Sequence, residues 1–358
     1  MTMSNFPCSG CAADLQFSPG QGEMECPYCG STTSIEASDD EGAIPEAVIE
    51  YDLDSALANA PVGWASEVVE FQCKNCSAFT AVEPHVTATE CAFCGTNQLE
   101  VQPTKEDMIR PESLLPFAIE MKAAKGSFGG WVKSLWFRPN DLKRMSKLDG
   151  LKGVYIPVFT FDMKSSTDWN AQAGFHYYVT VTGSDGKTRQ ERRTRWEWRS
   201  GNVRRAFDDW LVPASSGLSQ DLFAGLLPYD TSALVPYQTQ FLAGFIAERY
   251  QISLDDAWQV GRIGMGSVIR DAVVSDIPGD TYRALSMDTE TWDKTFKHCL
   301  VPIWISAYRY KEKTFHYVVN GVTGKMNGTA PYSWVKITLA VLLGLAVVAG
   351  IVWAVENG

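Results

Sequence analysis

The longest apolar run in the chain covers residues 337–355 (ITLAVLLGLAVVAGIVWAV), 19 positions without a charge in which only Thr338 and glycines interrupt the hydrophobic side chains. At about 1.5 Å per residue this makes a helix of roughly 28 Å, close to the hydrocarbon thickness of a bilayer. Buried core helices usually run shorter and keep a polar stripe. The pattern therefore predicts a transmembrane helix over 334–355, with Trp334 and Trp353 near its two interfaces.

Upstream, the period of the pattern switches between two and about 3.6. Residues 154–163 (VYIPVFTFDM) and 175–182 (FHYYVTVT) read as strands, the first carrying Pro157, which suits an edge or a bulge. The run 183–186 (GSDG) supplies a turn. In 188–205, Arg193, Arg195, Glu197 and Arg199 alternate with Thr194, Trp196 and Trp198, a strand with one wet and one aromatic face. Strands return at 300–310 and 314–319, followed by turn chemistry at Asn320, Gly321 and Gly324. Helical spacing covers 117–136, with Ile119, Ala123, Trp131, Leu135 and Trp136 as core face and Gly126, Gly129 and Gly130 as breaks. It recurs at 141–148 and from 219 to 277, where Leu222, Leu226, Phe241, Leu242 and Phe245 recur at steps of three and four, and Ser253 is placed to cap a helix reaching 275. A short helix at 52–60 would put Leu53 and Leu57 on one face. Gly261, Gly264 and Gly266 lack the preceding strand of a nucleotide loop and read as close helix packing.

Composition narrows the picture. With 358 residues, 45% of them hydrophobic, the chain can bury a real core. Its N-terminus carries no basic run and no apolar segment of the secretory type, so the cysteines are expected on the reducing side of the membrane. Lys325 and Lys336 before the span and Glu356 after it predict a cytoplasmic body on a single-pass, tail-anchored inner-membrane protein. The net charge is −11, and residues 1–73 contain no lysine or arginine. That argues against a nucleic-acid partner for this head, because gripping phosphates needs cations. The basic 188–205 region reads first as a solvated face paired with the protein's own carboxylates; contact with lipid or protein, and then nucleic acid, follow as alternatives.

Eight of the nine cysteines fall in four Cys-x-x-Cys pairs. The first set is Cys8, Cys11, Cys26 and Cys29; adding 65 gives the second, Cys73, Cys76, Cys91 and Cys94. Phe6 and Phe71, Pro19 and Pro84, Glu25 and Glu90, and Gly30 and Gly95 keep the same register, so the head is an internal repeat. Each copy, C-x2-C-x14-C-x2-C, has the spacing of a zinc ribbon, in which two turns offer four thiolates to one Zn2+ ion. Redox dithiols are the competing reading. A four-thiolate site has no open coordination position, so both metals are expected to be structural.

Cys299 stands alone beside an apolar run and reads as a buried thiol; His85, His176, His298 and His316 are scattered. No Gly-x-Ser-x-Gly, His-Glu-x-x-His or phosphate-loop motif occurs. No catalytic or cofactor-binding residue is assigned, and the expectation is a non-enzyme. The predicted fold class is α+β: two small zinc ribbons (1–35 and 64–102) around an acidic linker with a short helix (36–63), an antiparallel-sheet α+β body (103–331), and the C-terminal transmembrane helix (334–355).

With these ribbons, the body strings WFRPNDL, LKGVYIPVFTFD, DDWLVPASSGLS, LVPYQTQFLAGFIAERY and VPIWISAYRYKEKTFHYVVNGVTGK, and one terminal span, the chain resembles a bacterial family of membrane-anchored TFIIB-type double zinc-ribbon proteins. Its members are often labelled primosomal protein N′ or superfamily II helicase. The resemblance implies association with phage-shock-type or SPFH-domain membrane-stress proteins in some members. It does not carry the helicase label here, because neither ATPase motif is present. The expected function is a non-enzymatic adaptor or scaffold with protein partners at the cytoplasmic face of the bilayer. A nucleic-acid-associated ribbon protein and an enzyme with an unrecognised site in the body are the alternatives.

Overall fold

The computed structural model describes residues 6–35, 48–58, 69–82, 91–102, 109–134, 137–138, 150–184, 186–310 and 313–357. Three strands, β1 (Gln16–Ser18), β2 (Glu23–Glu25) and β3 (Thr32–Ser34), form a small antiparallel sheet around the first cysteine set. After β4 (Tyr51–Asp52) comes α1 (Leu53–Ala58). This helix buries Leu53 and Ala56, while Leu57 points outward, so the expected leucine pair is not its packing face. The second cysteine set is framed by β5 (Val69–Cys73), β6 (Phe79–Val82) and β7 (Leu99–Gln102).

In the body, β8 (Ser113–Leu114) precedes α2 (Met121–Ser134). Gly126, Gly129 and Gly130 do not break α2; no neighbour lies within 4 Å of where their Cβ atoms would be, so they sit on its open side. Its core face is Ala124 and Phe128, with Trp131 partly buried, and Phe128 stacks on Tyr317 at 4.1 Å. Ala123 is exposed, one position out of phase with the expected face. The helix expected at 141–148, and Leu135 and Trp136, lie outside the described residues.

Three very long strands dominate the body. β9 (Lys152–Thr182) and β10 (Thr188–Pro213) form an antiparallel hairpin, and β13 (Thr281–Tyr310) pairs antiparallel with the other side of β9. At about 3.3 Å per residue, the 31 residues of β9 span roughly 100 Å. The two strands expected at 154–163 and 175–182 are thus one. Between them, alternate positions Ser165, Thr167, Trp169, Ala171 and Ala173 continue the buried face. Buried hydroxyls there find partners: Thr167 Oγ1 lies 2.9 Å from Thr289 Oγ1, and Ser165 Oγ donates to the Arg205 carbonyl at 3.3 Å.

Pro157 is accommodated without being at a sheet edge. Opposite Leu300 it faces β13, while on its other side β10 pairs only from Val158 onward and β12 (Ile246–Glu248) pairs only with Val154 and Tyr155. The proline occupies the changeover between two neighbours, where no donor is required. The interval 219–277 is less helical than its spacing predicts. It holds α3 (Gln220–Ala224), a short strand β11 (Val235–Pro236), two single-turn 3-10 helices and β12 before the only long helix of this interval, α4 (Leu254–Asp276). Pro228, Pro236 and Gly244 interrupt the region, yet Phe241 and Leu242 are buried as core.

Ser253 caps α4 as expected, accepting from the Asp256 N–H at 3.1 Å. α4 lies along β9 and β10, burying Met265, Ile269 and Val273 against the aromatic and small side chains of the sheet. A Cβ at Gly261 would sit 3.1 Å from Phe161, and one at Gly264 2.7 Å from Trp210, so these two glycines serve close packing. A Cβ at Gly266 would meet nothing within 4 Å beyond its own helix backbone.

β14 (Lys313–Asn320) and β15 (Met326–Gly328) extend the sheet beside β13. Asn320 Oδ1 accepts from the N–H groups of Val322 and Thr323 at 2.8 and 2.9 Å, fixing the expected turn. The chain then enters α5 (Trp334–Asn357), the one candidate membrane span among the described residues, Trp334–Val355, with none of its window buried by the rest of the protein.

Candidate metal centres

Each knuckle is built by the same backbone bonds, 65 positions apart. Cys8 N–H donates to the Ala13 carbonyl at 2.8 Å and Cys73 N–H to that of Ala78 at 2.9 Å; Ala12 N–H returns to Cys8 O at 2.8 Å and Ser77 N–H to Cys73 O at 2.9 Å. In the second pair of each set, Gly30 N–H bonds Cys26 O and Gly95 N–H bonds Cys91 O, both at 3.0 Å. Closing such turns requires a left-handed residue. Gly30 and Gly95 supply it at φ 71° and 70°, as the glycine after each pair predicts. Ala12 and Ser77 supply it at φ 59° and 61° despite their side chains. Holding non-glycine residues there has an energetic cost, which a bound ion at the turn would offset.

The result is two cages of sulfur. In the first, Cys8 and Cys29 Sγ lie 3.5 Å apart and Cys11 and Cys26 Sγ 3.4 Å apart. In the second, the equivalent pairs Cys73–Cys94 and Cys76–Cys91 lie at 3.5 and 3.7 Å. All four sulfurs of each set fall within 4.8 Å of one another. Four thiolates placed tetrahedrally about 2.3 Å from one ion would stand about 3.8 Å apart. Both cages fit that test, and the structure brings together all eight predicted ligands. Further support for the first cage comes from the Gly10 N–H, aimed at Cys8 Sγ at 3.4 Å, and Ser31 Oγ, 3.1 Å from Cys29 Sγ. Neither group was among the residues singled out from sequence, although Ser31 and Thr96 occupy the same register.

The two centres differ in their surroundings. In the first, Cys11 and Cys29 are exposed; in the second, the corresponding Cys76 and Cys94 are half-buried. The contrast is sharpest at the aromatic residue inside the second Cys-x-x-Cys pair of each set: Tyr28 is 83% exposed, whereas Phe93 is 1% exposed and packs directly beneath Gly217. A Cβ at Gly217 would come within 2.7 Å of that ring.

Both ribbons are joined to the body. Phe17 N–H donates to the Ala243 carbonyl at 3.0 Å, and the Phe17 ring meets Phe241 edge-on at 5.2 Å. Gly244, left-handed at φ 87°, packs against the Gln16 side chain there. The second ribbon is fused more deeply, because β6 pairs antiparallel with β12 and so belongs to the main sheet. Buried Arg249, immediately after β12, pairs with buried Glu70 on β5 and lies 4.4 Å over the Phe79 ring. Neighbouring Glu248 is fully buried, and burial pushes its carboxyl up to about 8. The described part of the linker between the ribbons, residues 48–58, is tied to the body as well. Buried Lys297 on β13 reaches Glu50 at 2.9 Å and Asp209 at 2.7 Å, and these two carboxylates hold its pKa above the ordinary lysine value despite burial.

Other residues weighed from sequence fall outside these centres. Cys299 is fully buried and its thiol is pushed up by burial. His298 is buried in the core; His316, on β14, is not one of the four ligands but its ring hydrogen-bonds the Phe93 backbone inside the second cysteine set. His85 lies outside the described residues. On β10, Arg195 and Arg199 both pair with Glu197, and Arg193 lies 3.7 Å from Glu191, so that face is paired with the protein's own carboxylates.

Over 235 residues the chain is 26% identical to the uncharacterized protein YdjG of Bacillus subtilis (strain 168). The match covers 64% of this chain and 66% of that protein, just under two thirds of its length. No family model matches the chain, and no solved structure matches it.

Proposed function

We propose that this chain is a non-enzymatic adaptor, held at a membrane by α5, that uses its first metal knuckle to bind a protein partner. The observation that carries the reading is the difference between Tyr28 and Phe93: one copy of the repeat spends its knuckle on the body, the other leaves an aromatic residue in solvent next to Pro27. Rigid, exposed aromatic groups are frequent anchors of protein interfaces. The ion in both cages is zinc in this proposal, since four cysteine thiolates in a closed tetrahedral set match its preferred structural coordination. Zinc there would fold the knuckles and leave no position for substrate. The hydropathy of Trp334–Val355 supports anchoring, and the flanking charges favour a cytoplasmic body. The membrane-stress setting that the family resemblance implies belongs to the same proposal.

Crosslinking in native membranes tests it, comparing the intact chain with Tyr28→Ala. The adaptor reading expects a defined set of captured proteins that is lost with Tyr28→Ala while metal content is retained. A catch unchanged by that substitution would contradict it.

A further inference from the structure

The first ribbon carries an open groove at its tip. Its space of about 720 Å3 is lined by residues that include Cys11, Ala13, Asp14, Gln16, Pro27 and Tyr28, so each Cys-x-x-Cys turn supplies part of the wall. Asp14 is exposed, but its backbone is held: it bridges antiparallel to Pro7, and the next N–H, that of Leu15, donates to the Phe6 carbonyl at 2.8 Å. Tyr28 stands on the turn closed by the Gly30 N–H on Cys26 O at 3.0 Å. A carboxylate and an aromatic ring are thus presented to solvent on fixed backbone, which lowers the ordering cost of binding there.

The duplication shows what such a surface accepts. Adding 65 carries Asp14 to Phe79, Gln16 to Ala81 and Tyr28 to Phe93. In the second ribbon these positions are covered by the body: Ala81 pairs with Ala247 of β12, the Arg249 guanidinium lies 4.4 Å over the Phe79 ring, and Phe93 packs under Gly217. An extended segment followed by an arginine therefore fills that copy. In the first ribbon the body meets β1 through Ala243 and Gly244, yet Asp14 and Tyr28 stay exposed. With a carboxylate where the second copy has the Phe79 ring, the unfilled copy suits a cation better than the filled one.

Charge selects the same occupant. Residues 6–35 carry Asp14, Glu23 and Glu25 and no lysine, arginine or histidine, so no side chain of the ribbon neutralises the groove. A divalent ion bound by four thiolates would leave the cage beside Cys11 net negative as well. We infer that the groove beside Tyr28 docks an extended, arginine-bearing segment of the partner protein. A guanidinium pairs with a carboxylate through two parallel N–H bonds and is attracted to the face of an aromatic ring, and Asp14 and Tyr28 offer one of each. The same charges repel the phosphates of a nucleic acid. The inference rests on the adaptor reading, whose partner it describes.

The test titrates the full chain, in lipid nanodiscs, into a fluorescein-labelled peptide of alternating arginine and glycine, and reads anisotropy. Saturable binding is expected, roughly tenfold weaker with Asp14→Asn or Tyr28→Ala and retained with Tyr28→Phe, at the same metal content. It should be unchanged with Asp288→Asn, on the exposed face of the long arm formed by β9, β10 and β13. Equal weakening by Asp288→Asn, no dependence on Asp14, or equal binding of the glutamate and glycine counterpart would overturn the inference. So would self-association of the peptide-free chain that Asp14→Asn abolishes, since the occupant would then be a second copy. Failure here leaves the adaptor reading standing where membrane crosslinking still depends on Tyr28; a catch indifferent to Tyr28→Ala removes both.

Discussion

Tyr28 and Phe93 hold the same place in two copies of one metal knuckle, 65 positions apart, and one faces solvent while the other lies buried under Gly217. The duplication has therefore produced two parts with different duties. The second knuckle is a wall of the body's core, continuous with Leu218, Leu222 and Phe223, and the first keeps a free tip.

Truncation at the two positions should give opposite results. Phe93→Ala removes a fully buried ring and is expected to cost about 3 to 5 kcal/mol of stability. Tyr28→Ala is expected to change stability by less than about 0.5 kcal/mol. Urea unfolding of the detergent-solubilised chain checks both, and similar losses at the two sites would contradict the division of duties.

The packing of α4 on the arm rests on Gly264, where an added Cβ would meet Trp210 at 2.7 Å. Gly264→Ala should destabilise by about 1 to 3 kcal/mol through overpacking, in spite of the better helix propensity of alanine. Gly266→Ala, two residues on and facing open space, should stabilise by roughly 0.5 to 1 kcal/mol. The sign difference between the two variants in thermal unfolding is the check.

His298 links stability to pH. Its Nδ1–H donates to the Ile109 carbonyl at 3.0 Å, and burial lowers its pKa to about 4. As pH falls, the unfolded chain takes up this proton near 6.5 and the folded chain only near 4. The contribution is therefore present above pH 6.5 and lost between 6.5 and 4, by up to about 3 kcal/mol. In His298→Gln that part of the pH dependence should disappear. Any acid release of metal affects both proteins alike and cancels in the difference; parallel curves would show that this histidine is not responsible.

Much of this architecture is written locally and could be read from the chain. The cysteine register pointed to both sulfur cages, because turn spacing alone decides which thiols can converge. The apolar run marked α5, and Ser253 marked the start of α4. The continuous β9 was hidden because its middle buries Ser165, Thr167, Ala171 and Ala173, small or hydroxylated residues that do not register as a hydrophobic face. Spacings of three and four around Phe241 suggested a helix, but they serve a folded loop whose prolines and glycine forbid one. The fusion of the second ribbon to the body was beyond local reading: it depends on Ala81 meeting Ala247 and on Glu70 meeting Arg249, contacts between residues far apart in sequence.

Two four-cysteine sets placed to hold a metal ion are the centre of this architecture, and native mass spectrometry of the intact, detergent-solubilised protein tests their occupancy directly. The expected mass corresponds to two zinc ions per polypeptide, with all eight ligand cysteines unoxidised. A folded chain carrying fewer than two ions, or disulfides within the cysteine sets, would contradict it.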